Sequence, residues 1–156
     1  MSFTVSSLPI EPFAPLFALN EAALAERGML RVVADAPFAF PCRVTLDDAA
    51  PGETLILLNH EHHAADTPFR SRYAIYVREA AEGPTSTTDV LPPALRRRLL
   101  SLRGFDAAGM LRDADVVEGA AAGPVIERML TDPGVAYLHA HYAKPGCYAA
   151  RIDRAA

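Results

Sequence analysis

The sequence predicts an α+β fold: a largely antiparallel sheet, curved or partly barrel-like, with two or three short helices. Seven or eight short segments are apolar or alternate apolar with polar residues, the period-two signature of strands. The connections between most of them are too short for the crossovers that parallel strands need. Helix signals are few and local. The chain has 156 residues, the size of one ordinary domain, and its 51% apolar and 22% charged content is that of a globular protein.

Taken in order, the N-terminal arm (residues 1–18) carries Pro9, Pro12 and Pro15 and reads as irregular chain or an edge segment. Asn20 is placed to cap a helix over Glu21–Arg27, which Gly28 stops. Leu30–Ala34 and Cys42–Leu46 read as strands, separated by Pro37 and Pro41. Pro51-Gly52 marks a turn before a strand over Glu53–Asn59, whose Leu55-Ile56-Leu57-Leu58 run is apolar on both faces. His60–Phe69 reads as a polar loop, Arg72–Arg78 as a strand and Ala80–Asp89 as a flexible loop. Pro92-Pro93 opens a helix through Arg98. Leu99–Phe105 and Met110–Asp115 form a strand pair around Asp106-Ala107-Ala108-Gly109, and Pro124–Leu130 is helical.

The last segment holds most of the chemistry. Val135–His141 and Cys147–Arg154 flank Lys144-Pro145-Gly146 as the two strands of a hairpin. Alternation places Tyr137, His139 and His141 on one face and Ala136, Leu138 and Ala140 on the other. On the return strand Cys147, Ala149 and Arg151 share one phase, and Tyr148, Ala150 and Ile152 the other. Setting His141 opposite Cys147 superposes the apolar phases and the polar ones. An imidazole beside a thiol activates cysteine as a nucleophile, so His139, His141 and Cys147 are the candidate catalytic residues. Arg43, Arg103, Arg151 and Tyr137 are candidates for holding an anion, because guanidinium groups match carboxylate and phosphate. Such a face also serves simply as a solvated one.

The His60-Glu61-His62-His63 run supplies further imidazoles, and a metal centre built from His139 and His141 with His60 or His62 is the alternative reading. Its spacing matches no metal motif. A third reading is a non-catalytic module that forms a homodimer. Cys42 shares its phase with Val44 and Leu46 and points inward, and Arg96-Arg97-Arg98 reads as a solvated helix face.

Composition narrows the partners. A formal charge of −4 argues against nucleic acid, whose phosphates need a basic field. Of the 15 basic residues only Lys144 is lysine. No apolar run approaches the roughly 18–20 residues that span a membrane. The first residues lack a secretory pattern, so a cytoplasmic location with two free thiols is expected. Glycine-rich phosphate loops, nucleophile elbows and Cys-x-x-Cys pairs are absent, so standard nucleotide-binding and hydrolase motifs are missing and the sequence leaves the cofactor unknown.

Several segments together carry a family likeness: Pro41-Cys42-Arg43, Pro51-Gly52-Glu53-Thr54-Leu55-Ile56-Leu57-Leu58, Leu100-Ser101-Leu102-Arg103-Gly104-Phe105-Asp106, and Lys144 through Arg154. From about Arg31 to Ala156 the chain resembles the bacterial family known as domain of unknown function 1203. The resemblance implies a chain of one domain and brings no activity, substrate or catalytic residue.

Overall fold

The computed structural model describes residues 1–156. Nine strands run as β1 (Phe3–Ser6), β2 (Leu30–Val33), β3 (Thr54–His63), β4 (Ser71–Arg78), β5 (Ser86–Thr88), β6 (Leu99–Phe105), β7 (Leu111–Glu118), β8 (Tyr137–Tyr142) and β9 (Tyr148–Arg154). Three short helices, α1 (Glu21–Glu26), α2 (Pro93–Arg96) and α3 (Ala122–Thr131), lie between them. The strands form two sheets, a six-stranded one in the order β5-β1-β9-β8-β6-β7 and a three-stranded one in the order β2-β3-β4. All strand pairings are antiparallel. The α+β class is therefore as the sequence predicts, but the single sheet is divided in two. Neither sheet closes into a barrel: β5 offers only three ladder positions, and β7 ends the other edge.

Local signals explain the helices. The Asn20 side chain accepts the Ala23 N–H at 2.9 Å, satisfying one of the free donors at the start of α1. Gly28 follows its end at φ 70°, a conformation that glycine adopts without strain. Pro93 and Pro124 sit in the first turns of α2 and α3, where a missing N–H is harmless.

Four segments differ from expectation; one is Ser86–Thr88, inside the expected flexible loop Ala80–Asp89, which is β5 because it pairs with β1. Cys42–Leu46 is a turn and not a strand. It wraps around the Cys42 sulfur, which accepts N–H groups from Val44, Thr45 and Arg78 at 3.3–3.4 Å, and Leu46 adopts φ 53°. Residues 3–6 of the arm form β1, between β5 and β9, with Phe3 and Val5 fully buried. β3 extends four residues into the presumed loop, because Asn59, His60 and Glu61 find ladder partners in Ala74, Tyr73 and Arg72.

The larger sheet has one apolar face. Leu100, Leu102, Leu138, Ala140, Ala150 and Ile152 pack there against Ala94 and Leu95 of α2 and Ile126, Met129 and Leu130 of α3. A second core joins Leu24 of α1 to Ile56, Leu58, Ile75 and Val77 of the smaller sheet. The opposite face of the larger sheet meets the end of β3, and Arg103, Tyr137, His139, His141 and Arg151 lie on it. No helix is long and apolar enough to cross a membrane.

Candidate functional site

Strand parity sends Tyr137, His139 and His141 to the face away from α2 and α3, as predicted. The register differs from the expected one. Leu138 pairs with Ile152, His139 with Arg151 and Ala140 with Ala150, but His141 pairs with Tyr148. A β-bulge at Ala149 absorbs the extra residue and reverses the phase beyond it. Tyr148 therefore joins the histidines, and Cys147 turns away from them. The thiol–imidazole pair that the expected register implied is not formed: His141 Nδ1 donates to the Gly146 carbonyl at 3.0 Å, and the Cys147 sulfur accepts from Arg43 Nη2 at 2.9 Å.

A second bulge, between Glu61 and His63 of β3, brings His62 and His63 together onto the hairpin. The His62 ring stacks on Tyr148 at 5.2 Å and meets His141 and His139 edge-on at 5.0 and 6.3 Å. His63 lies edge-on to His139 at 5.1 Å and tilts against Phe105 at 4.2 Å. Its Nδ1–H donates to the Phe69 carbonyl (3.0 Å), which leaves Nε2 to accept the Tyr137 hydroxyl (2.7 Å). Four imidazoles thus pack between the two sheets, with His63, His139 and His141 all below 5% exposed. The Nδ1 atoms of His62 and His139 are buried without a hydrogen-bond partner.

Burial governs the charge of this cluster. It lowers the pKa of His139 to about 2, helped by His63, His141 and His62, and that of His141 to about 3, helped by Arg103. His62 falls to about 4 for the same first reason. These rings are neutral at pH 7, unlike a free imidazole, which titrates near neutrality. Burial raises the Tyr137 phenol and lowers Arg103. Arg103 has no carboxylate partner and contacts only the Ser101 hydroxyl, at 3.3 Å. Arg151 pairs with Asp153 at 2.9 Å and lies over the Tyr137 ring at 4.2 Å.

A cavity of about 350 Å³ opens beside the cluster, lined by His62, His63, Tyr137, His139, Arg151 and the Ala107–Gly109 turn. No acidic side chain lines it. Gly109 sits at φ 87°, and a Cβ there would stand 2.3 Å from the Ala65 Cβ. Gly109→Ala is expected to destabilise the protein by roughly 2 kcal/mol, the sum of left-handed strain and the forced shift of Ala65. Urea denaturation measures this loss, and an unchanged midpoint would show the turn to be more yielding.

The remaining predicted residues lie elsewhere. His60 packs edge-on to Phe13 at 5.9 Å and takes no part in the imidazole cluster. No group of three or more His, Cys, Asp or Glu side chains has an arrangement that holds a metal ion. Arg43 lies with Cys147 near the hairpin turn. Arg97 and Arg98, expected on a solvated face, bind Asp48, whose side chain is only 3% exposed. His63 and Tyr148 are the cluster members that sequence reasoning did not single out. His63 stands in the His60–His63 run, but nothing in the sequence marks either bulge.

Residues 39–154 match the family described as protein of unknown function, DUF1203. The chain belongs to this family. No curated protein and no solved structure matches it. The DUF1203 segment contains every residue of the imidazole cluster together with Arg43, Arg103, Cys147 and Arg151, and leaves β1, α1 and β2 outside.

Proposed function

We propose that this DUF1203 chain binds a compact anion in the cavity between the end of β3 and the polar face of the terminal hairpin. The observation that carries the reading is the pair of buried, unpartnered Nδ1 atoms on His62 and His139, beside a cavity with no acidic lining. Leaving a buried polar atom unsatisfied costs about 1–3 kcal/mol, a penalty that a bound acceptor removes. The neutral rings supply N–H donors, while Arg103 and Arg151 supply positive field. A bound anion also stabilises imidazolium, so it raises the depressed pKa values of the cluster and draws a proton in with it. His139, which lines the cavity, then acts as a proton carrier for whatever occupies it.

The test is calorimetry with phosphate, sulfate and acetate, run in buffers of different ionisation enthalpy. The expected result is binding with proton uptake, tighter at pH 6 than at pH 8, and lost in His139→Gln. Binding that ignores pH and survives that substitution, or none by any of the three anions, would refute the proposal.

A further inference from the structure

A larger cleft, of about 720 Å³, lies near the hairpin turn, between β3–β4 and the end of the larger sheet. Its walls are mostly apolar, with Phe38, Leu57, Tyr73, Tyr76 and Leu99 among them. Two polar groups in its lining are unusual.

The first is Arg43, a guanidinium only 1% exposed. Its Nε donates to the Tyr148 carbonyl at 2.7 Å, one Nη to the Pro41 carbonyl and the other to the Cys147 sulfur. These contacts use three of the five N–H groups that arginine carries. No carboxylate pairs with it, in contrast to Arg97 and Arg98, which both share Asp48.

The second is Tyr142, 1% exposed, whose hydroxyl has no partner at all. Its ring lies beneath both Arg43 and Arg98, with the guanidinium carbons 5.0 and 5.1 Å from the ring centre. Burial pushes this phenol up to about 12, so it remains an O–H donor at neutral pH. Tyr142, with its unused donor, and Arg43, with no carboxylate partner, therefore both line the same cleft.

We infer that this cleft is a second binding site, separate from the imidazole cavity, for a monocarboxylate with a flat apolar body. The carboxylate accepts the Tyr142 hydroxyl and neutralises Arg43, and the body lies against the aromatic and aliphatic walls. One buried cation answers one negative charge, which favours a carboxylate over a phosphate dianion. Exposed Lys144, at the rim, draws the anion in without fixing it. Cys147, in the same lining, reports on occupancy.

The test uses benzoate, with benzamide as its uncharged counterpart, on the intact chain and on Tyr142→Phe. That substitution removes a hydroxyl with no protein partner, so the melting temperature should hold or rise. Benzoate should bind saturably and slow alkylation of Cys147 by iodoacetamide while leaving Cys42 unaffected. Tyr142→Phe should weaken benzoate binding about tenfold, the loss expected for one hydrogen bond to a charged group, and benzamide should bind at least as weakly. His139→Gln should leave benzoate binding unchanged, which separates this site from the imidazole cavity. The inference falls if benzoate does not bind, if benzamide matches it, or if a folded Tyr142→Phe retains full affinity.

Discussion

Gly119→Ala is expected to destabilise the protein by about 3 kcal/mol or more, the upper end of what overpacking does. Gly119 is buried where β7 gives way to the turn before α3, and its N–H donates to the Arg98 carbonyl at 2.8 Å. A Cβ would stand 1.9 Å from the Leu95 carbonyl oxygen and 2.9 Å from the Arg96 Cα. Both are backbone atoms of α2, and Leu95 is locked in the main core, so neither can swing aside as a side chain would. Gly123, four residues on and inside α3, has no atom near its missing Cβ. Gly123→Ala should therefore stabilise by about 0.5 kcal/mol through helix propensity alone. Urea denaturation of the two variants gives shifts of opposite sign. Equal shifts would mean that α2 does not press on Gly119.

Acid is expected to destabilise the protein well above the range in which carboxylates titrate. In the unfolded chain His139 and His141 take up protons below about pH 6.5. In the folded chain burial holds them neutral down to about pH 2 and 3. Across that window the unfolded state binds more protons, so stability is full above pH 6.5 and falls as pH drops. Each ring contributes up to about 1.4 kcal/mol per pH unit once the pH is well below 6.5, so the two together remove about 3 kcal/mol between pH 6.5 and pH 5. His62, less buried, adds to the loss in the same direction. Denaturation at pH 7 and pH 5 measures the difference, and His139→Gln should lower the slope by one proton's worth. Constant stability over this interval would mean that the rings are wet or already charged.

Much of the fold was legible because its signals are local. Leu99–Phe105 is β6 to the residue, since alternation and the Asp106–Gly109 turn bound it on both sides. Asn20, Pro93 and Pro124 each announce a helix start. The polar extension of β3 was not legible, because His60–His63 has the composition of a loop and joins the sheet only through its pairing with β4. Cys42–Leu46 has a strand's composition and turns because its sulfur gathers three backbone N–H groups.

The site followed the same division. Parity alone put Tyr137, His139, His141 and Arg151 on one face. A bulge adds a residue without a compositional mark, so Tyr148 exchanged faces with Cys147, and the predicted site became two. His62 and His63 come from the other sheet, and no short-range pattern shows which strand will cover a polar face.

The pairing of Phe3 with Arg154 sets an order of events during synthesis. β1 precedes the other eight strands in the chain yet is held on one side by β9, which follows them all, and on the other by β5. Its pairing with β9 closes only after more than a hundred intervening residues are made, whereas β6 and β7 can zip up as neighbours. Until the terminal hairpin forms, β1 thus keeps one open edge, a segment suited to holding by a chaperone.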